Sequence, residues 1–276
     1  MDDLKWCIDY LKEVNNINQE LRYDFDTLRA LLNITMPSNL STEFYNKQDN
    51  VLKKTLSKKK IVDVKEFNDG ISLFKGDITL INADAIVNAC NNKMLGCFVP
   101  GHHCIDNAIH SFAGLQVRCD MMNMMLIQGY DEPNGKCKVT KGYNLPSKFI
   151  FHTVGPIYKG SIQDEIDLKN CYLSCLKKAD EMKLESICFC SLSTGLYGFP
   201  IEKASLIAIS TVNKYLKEDN KNIKKVIFDL FSEGDFDVYN RKIKEINKWF
   251  WSYHNWRRGW IIYSGWFYIW WRIFFR

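Results

Sequence analysis

The sequence lacks the features that would assign it to several large classes of protein. Residues 1–6 are acidic and then amphipathic, whereas a secretory signal peptide begins with a positively charged segment and continues with an apolar one. The longest uncharged run near the C-terminus, residues 259–271, is shorter than the roughly 20 apolar residues that span a bilayer. The central part of the chain has no basic run interleaved with aromatic residues, and the net charge of +5 is spread along the chain. We therefore expect no nucleic-acid binding.

The sequence is rich in cysteine. It has ten cysteines in 276 residues, and several lie in apolar, strand-like runs such as residues 187–190. This distribution favours reduced thiols in a cytoplasmic protein over a disulfide framework. The hydrophobic content of 46% and charged content of 25% are typical of a soluble globular protein.

The hydrophobic pattern divides the chain into three parts. Residues 1–60 show apolar residues at helical spacing and predict an N-terminal helical extension, which ends in a basic linker that includes Lys53 and Lys54. Residues 61–250 alternate between strand-like and helix-like segments, which predicts an α/β domain with helices on both faces of a mostly parallel sheet. The predicted strands include 85–90, 186–192 and 225–230, and the predicted helices include 106–128, 164–183 and 200–216. Residues 251–276 form an aromatic and basic tail. An interfacial membrane segment, a segment foreign to the fold and ordinary packing are the alternatives for that tail.

One loop concentrates residues that bind metals. Cys97, His102 and Cys104 follow the spacing C-x4-H-x-C, and two thiolates with one imidazole suit zinc. His103 is a fourth candidate, but next to His102 on a short loop it would tend to point the other way. Three ligands leave a coordination position open, as in catalytic zinc sites. The alternative is a loop rich in cysteine and histidine that binds no metal.

Polar loops follow three predicted strands. These are residues 88–92, the cysteine- and histidine-rich loop and residues 193–200. In a parallel α/β sheet, ligands bind beyond the carboxyl ends of the strands. In the last loop, Gly195 and Gly198 precede a predicted helix, so backbone N–H groups there are candidates for binding phosphate. A simple tight turn is the alternative.

The sequence resembles the macrodomain family, whose members bind ADP-ribose. The motifs that carry the resemblance are GDIT at 76–79, VNACN at 87–91, DNAIH at 106–110, HTVGP at 152–156 and STGLYGFP at 193–200. The run GCFVPGHHCIDN that starts at Gly96 is similar to the zinc-dependent subgroup of microbial ADP-ribosyl hydrolases. The resemblance covers roughly residues 65–250 and implies a macrodomain-like three-layer α/β/α fold with a mixed, mostly parallel central sheet. One departure is Cys90-Asn91-Asn92, where the family more often has Ala-Asn-Ser.

The resemblance implies a role for each matching residue. Asp77 would accept a hydrogen bond from the adenine amino group with Ile78 beside the ring, although Asp77 could instead only stabilise its own turn. The diphosphate would be wrapped by Ser193, Thr194, Gly195, Leu196 and Tyr197, with Phe199 near the distal ribose. Asn88 and Asn91 would hold the distal ribose. Cys97, His102 and Cys104 would bind Zn2+. Asp106 aligns with a catalytic aspartate, while its competing interpretation is a helix N-cap.

The implied activity is a zinc-dependent hydrolase that removes mono-ADP-ribose from modified proteins by cleaving the bond at the anomeric carbon of the distal ribose. The attacking water would be bound by the metal or held by Asp106, and the sequence leaves both open. A non-catalytic reader of ADP-ribose and an O-acetyl-ADP-ribose deacetylase are the alternative functions. The expected partners are ADP-ribose, an ADP-ribosylated protein and, by family resemblance, an ADP-ribosyltransferase.

Overall fold

The computed structural model describes residues 2–37 and 40–257, with side chains up to residue 246. The helices in this part of the chain are α1 (Asp3–Val14), α2 (Phe25–Ile34), α3 (Thr42–Leu56), α4 (Ile105–Ala113), α5 (Leu115–Gln128), α6 (Ile162–Glu181), α7 (Ile201–Glu218) and α8 (Glu233–Arg257). The strands are β1 (Ile71–Phe74), β2 (Ala85–Cys90), β3 (Cys137–Lys141), β4 (Phe149–Val154), β5 (Ser186–Cys190) and β6 (Lys225–Asp229). The predicted tail, residues 251–276, lies outside the described residues apart from the helical backbone up to residue 257.

The six strands form one sheet in the order β1-β6-β5-β2-β4-β3. Four of the five strand pairs are parallel, and only β3 pairs antiparallel with its neighbour β4. Parallel strands need long crossovers, which usually contain helices that cover the sheet. Strand β2 is buried along almost its whole length, as its run of apolar residues predicts. The predicted three-layer α/β/α fold with a mixed, mostly parallel sheet is confirmed.

The N-terminal helices form an apolar layer of their own. Its buried members are Cys7, Ile8, Leu11, Leu28, Leu31, Leu32, Phe44 and Val51. Leu115 of α5 belongs to the same cluster, so this layer packs directly onto the α/β domain. The predicted basic linker is partly wrong, because α3 continues to Leu56 and includes Lys53 and Lys54.

Helix α4 and helix α5 replace the single helix that the sequence pattern predicts over residues 106–128. The break is at Gly114, whose φ of +102° is incompatible with a helix. A Cβ atom at this position would lie 2.6 Å from the Gln48 side-chain amide of α3. The Gln48 side-chain oxygen also accepts a hydrogen bond from the Leu115 N–H at 2.9 Å. The turn at Gly114 therefore serves the contact between the N-terminal layer and the α/β domain.

All ten cysteines lie in the described part of the chain and are free thiols. Six of them are buried, which is consistent with their apolar sequence context. Among residues 2–37 and 40–257, no helix has the length and apolar character needed to cross a bilayer.

Candidate active site

The candidate site lies at the edge of the sheet where the parallel strands end. Strands β1, β5 and β2 are followed there by the polar segments 75–77, 191–200 and 91–104. The segment after β4 reaches the same edge, since the Tyr158 N–H donates a hydrogen bond to the Tyr197 carbonyl at 2.9 Å. The fold thus brings the polar loops into one place, as the rule for open α/β sheets predicts.

Three side chains after β2 come together as a candidate for binding a metal, called the metal-binding group below. The ligand atoms of Cys97, His102 and Cys104 all lie within 4.8 Å of one another, and each residue is half-buried. The Cys97 Sγ to His102 Nδ1 distance is 3.7 Å. Tetrahedral zinc with ordinary Zn–S and Zn–N bonds would place these two atoms about 3.6 Å apart. His103 is exposed and lies outside this group. The donor set and its spacing therefore fit zinc with one position left open.

Cys104 also begins helix α4. It is the N-cap residue, and its Sγ accepts a hydrogen bond from the Asn107 N–H at 3.4 Å. The N-cap interpretation of Asp106 is therefore wrong, because the helix starts before it. Burial raises the pKa of the Cys104 thiol to about 12, although the Asn107 N–H acts in the opposite direction. A metal would have to displace the thiol proton.

Asp106 is a buried carboxyl group with a fixed orientation. It is only 5% exposed, and its Oδ1 accepts a hydrogen bond from the Asn88 Nδ2 at 2.7 Å. Burial raises the pKa of Asp106 to about 6, while the Asn88 hydrogen bond and the charge of Arg118 lower it. A carboxylate with a raised pKa that is still ionised at neutral pH is suited to act as a general base.

Two buried histidines surround Asn88 and Asp106. Thr140 Oγ1 lies 2.9 Å from His152 Nε2, and the other ring nitrogen of His152 lies 3.2 Å from Asn88 Nδ2. The Asn88 amide donates to His152 Nδ1, so His152 carries its proton on Nε2. His110 Nε2 is 3.5 Å from Asp106 Oδ1. Burial and the nearby His152 hold the pKa of His110 well below its usual range, so this contact is not an ion pair.

The Asn91 side chain makes hydrogen bonds within the loop that follows β2. Its Nδ2 donates to the Gly96 carbonyl at 3.2 Å, and its Oδ1 accepts from the Lys93 N–H at 3.0 Å. These two bonds fix the start of the loop that carries the metal-binding group. Its contact with a ribose stays a prediction, while the structural role is one that the sequence did not indicate.

The segment after β1 carries Asp77. Its Oδ1 accepts hydrogen bonds from the Thr79 N–H at 3.0 Å and from the Thr79 hydroxyl, which caps the short 3-10 helix Ile78–Leu80. Its Oδ2 lies 3.5 Å from the Lys59 ammonium group, and 40% of the side chain is exposed. The turn-stabilising role is therefore present, and both oxygens have partners within the chain, while the contact of Asp77 with adenine stays a prediction. The Ile78 side chain is buried, with 4% exposed, and its contact with the adenine ring stays a prediction.

The loop between β5 and α7 presents its backbone to the site. The turn is closed by hydrogen bonds from the Gly198 N–H to the Gly195 carbonyl and from the Phe199 N–H to the Ser193 carbonyl. Within the described structure, the N–H groups of Gly195, Leu196 and Tyr197 donate to no protein group. The Leu196 side chain is 85% exposed. Successive free N–H groups just before a helix are suited to bind an anion.

The loop between β5 and α7 also packs against the segment that follows β4. The Phe199 side chain is buried, and its ring centroid lies 4.6 Å from that of Tyr158. Gly155, after β4, lies so close that a Cβ there would be 2.1 Å from Ser193 Oγ. The glycine in the motif at 152–156 therefore permits the close approach of two loops.

Comparison with known proteins identifies the family of this chain. A family model described as Macro domain matches residues 87–208. The protein-ADP-ribose hydrolase of Treponema medium is 42% identical over 223 residues, which cover 78% of this chain and 85% of that protein. The chain belongs to the macrodomain family. Human ADP-ribose glycohydrolase MACROD2 is 40% identical to this macrodomain over 183 residues, 66% of this chain and 41% of the human protein.

Solved structures agree with this assignment. The Oceanobacillus iheyensis macrodomain with ADP matches with a TM-score of 0.61 and 37% identity, covering 67% of this chain and 95% of that one. The Trypanosoma brucei macrodomain in complex with ADP-ribose matches with a TM-score of 0.59 and 28% identity, covering 78% and 94%. The predicted family is confirmed, whereas the metal and the roles of individual residues stay predictions.

One acidic residue of this macrodomain, at the edge of the sheet where the candidate site lies, was not identified from the sequence. Asp229 ends β6, the strand next to β1, and is only 7% exposed. Burial and the nearby Asp77 carboxylate raise the pKa of Asp229 to about 7, although a backbone hydrogen bond from Gly76 lowers it. Its Oδ1 has no hydrogen-bond partner. The sequence feature that could have indicated Asp229 is an acidic residue at the end of an apolar strand.

Proposed function

We propose that this macrodomain is a zinc-dependent hydrolase that removes mono-ADP-ribose from modified proteins, and that it cleaves the bond at the anomeric carbon of the distal ribose. The observation that carries the proposal is the group formed by Cys97, His102 and Cys104 two residues before the buried carboxylate of Asp106. A reader of ADP-ribose needs neither an open metal position nor a buried base. The name of the Treponema medium relative, a protein-ADP-ribose hydrolase, supports the hydrolytic reaction.

The order of the loops along the edge supports the binding mode. Asp77 follows β1, the anion-binding loop follows β5, and Asn88 with the metal-binding group belongs to β2 and its loop. Since β6 and β5 lie between β1 and β2, the two ends of the site are about 14 Å apart at the usual strand spacing. This span suits an elongated ligand with its adenine at Asp77 and its distal ribose at Asn88.

The diphosphate would lie between these ends, against the free N–H groups of Gly195, Leu196 and Tyr197, with Ser193 and Thr194 at the start of the same turn. Backbone N–H groups stabilise the negative charge and fix the ligand along its length. Binding energy at the adenine and diphosphate would then hold the anomeric carbon beside Asp106.

The reaction requires water to replace the leaving group at the anomeric carbon. The transition state is expected to be oxocarbenium-like, by analogy with other glycoside cleavage. Asp106 would orient the water and take its proton as the new C–O bond forms, while the bond from the anomeric carbon to the protein side chain breaks and its electron pair leaves with the side chain. The Asn88 amide, fixed by His152, would hold the carboxylate in the required orientation. Zinc, when bound, would supply a Lewis acid beside the ribose hydroxyls.

The test uses the full chain. Bound zinc is quantified, and the release of ADP-ribose from an auto-modified transferase is measured with and without a chelator. We expect one zinc per chain and chelator-sensitive release. Cys97→Ala should lose both, whereas the matched control His103→Ala, at an exposed position outside the metal-binding group, should keep both.

Two other results would overturn the proposal in different ways. Bound zinc without release of ADP-ribose would indicate a reader or another substrate such as O-acetyl-ADP-ribose. Release that continues in the absence of zinc would show that hydrolysis does not depend on the metal. In that case the reaction would depend on Asp106 and the bound ligand alone.

A further inference from the structure

The second N-terminal helix contacts the metal-binding loop directly. Arg29 of α2 donates a hydrogen bond from Nη2 to the His102 carbonyl at 3.0 Å. Four residues further along the same helix, the Asn33 side-chain oxygen accepts a hydrogen bond from the Gly101 N–H at 2.9 Å. Positions four residues apart lie on one face of a helix. This face of α2 therefore binds the loop backbone at Gly101 and at the proposed ligand His102.

The same helix contacts the base of α4. Arg29 donates from Nε and Nη2 to the Asn107 side-chain oxygen at 3.1 and 2.8 Å. The Asn107 Nδ2 donates to the Val99 carbonyl, and its backbone N–H donates to Cys104 Sγ. Asn33 donates to the Ser111 hydroxyl at 2.9 Å. Asn33, Asn107 and Ser111 are all buried, so this network is shielded from water.

The other end of the loop is fastened to the same helix by a buried arginine. Arg118 of α5 donates to the Leu95 carbonyl at 2.7 Å, two residues before the ligand Cys97. The Arg118 Nη1 atom also lies within hydrogen-bond distance of the carbonyls of Leu32, Asn33 and Thr35. These carbonyls lie at the C-terminal end of α2, where a helix lacks its own donors and favours positive charge.

The loop has few bonds of its own between these attachments. Within residues 97–104 of the described chain, the His102 N–H to Val99 carbonyl contact at 3.2 Å is the backbone bond that the loop makes to itself. A short loop with so little internal bonding does not hold three ligands in place without outside contacts. The contacts from α2 and Arg118 supply them.

From these contacts we infer that α2 is a functional part of the metal centre, in which Arg29 and Asn33 are positioning residues that hold the loop in its metal-binding conformation. The inference rests on the proposed zinc site. It also assigns a role to the N-terminal layer, which would otherwise only cover the α/β domain. Outer partners of this kind usually change metal affinity about 10- to 100-fold when they are removed.

The experiment measures zinc affinity of the full chain by competition with a chromogenic chelator, together with the stability of the metal-free chain to urea. The variants are Arg29→Met, Asn33→Ala and the conservative Arg29→Lys. The control is Gln48→Ala, which removes another contact between the N-terminal layer and the domain, the 2.9 Å bond to the Leu115 N–H, far from the metal ligands in the sequence.

We expect Arg29→Met and Asn33→Ala to weaken zinc binding about 10- to 100-fold, Arg29→Lys to keep part of the affinity, and Gln48→Ala to lower stability while zinc affinity stays unchanged. Equal zinc affinity in all four variants and the wild type would overturn the inference alone. A loss in Gln48→Ala as large as in Arg29→Met would do so too, because it would reflect stability and not position. A wild type that binds no zinc would overturn the zinc site and this inference together.

Discussion

Asp229 should make the free energy of unfolding depend on pH. Its carboxyl has a pKa of about 7 in the folded chain, against 3.8 for an exposed aspartate. Below about pH 4 both the folded and unfolded states hold the proton. Between about pH 4 and 7 only the folded state keeps it, so the free energy of unfolding falls as pH rises. Above about pH 7 the folded state carries a buried carboxylate next to Asp77, and the full loss is reached.

The size of this effect follows from the pKa difference. Three pKa units correspond to about 4 kcal/mol above pH 7. Asp229→Asn keeps the shape of the side chain and removes the ionisation. The stability of the variant relative to the wild type should therefore rise by about 3 kcal/mol between pH 5 and pH 8, whatever the constant cost of burying the amide.

The assay is urea unfolding of both proteins at several pH values. Because the difference between them is measured, the titration of groups that do not interact with Asp229 cancels. Asp77→Asn is the matched control, since removal of that charge should lower the pKa of Asp229 and move the pH dependence to lower pH. A stability difference between Asp229→Asn and the wild type that stays constant from pH 5 to pH 8 would show that Asp229 ionises normally and that this reasoning is wrong.

Three further substitutions probe separate parts of the molecule. Asp106→Asn should lower ADP-ribose release by about 10²- to 10⁴-fold, the usual contribution of a general base, while calorimetry shows nearly unchanged ADP-ribose binding; a large loss of binding would contradict the catalytic role. Arg118→Met should destabilise the chain by about 3–5 kcal/mol in urea unfolding, because three buried carbonyls and one partly buried carbonyl lose their donor. Phe199→Ala should cost about 3–5 kcal/mol as well, since its buried ring packs against Tyr158 and supports the loop of residues 193–200; a loss below about 1 kcal/mol would show that the loop does not depend on that packing.

The sequence predicted the parts of the fold that depend on local pattern. The apolar runs of β2, β5 and β6 and the helical periodicity of α6 and α7 are strong signals because burial imposes them residue by residue. The break at Gly114 was missed because a single glycine inside a helical pattern is compatible with a continuous helix. It is the contact with Gln48, 66 residues earlier in the chain, that makes the turn necessary.

The candidate site was predictable where side-chain chemistry is distinctive. Two cysteines and a histidine at short spacing indicate a metal wherever the loop lies, and the structure brings Cys97, His102 and Cys104 together. The bond from Arg29 to the His102 carbonyl joins residues 73 positions apart. An arginine that binds a backbone carbonyl leaves no pattern in the sequence, because every residue carries that acceptor. The supporting contacts could therefore only be found in the folded chain.

Cys104 joins the proposed metal site to the proposed base, and the two proposed roles of its sulfur can be separated. The sulfur caps α4 through the Asn107 N–H, and Asp106 lies two residues later in the first turn of that helix. A metal held by Cys104 would therefore keep a fixed position relative to the carboxylate. Serine is among the favoured N-cap residues but a poor zinc ligand. Cys104→Ser should keep the helix start and the stability of the metal-free chain while zinc affinity falls, whereas Cys104→Ala should lose both. Equal zinc affinity in Cys104→Ser and the wild type would show that Cys104 acts only as a cap.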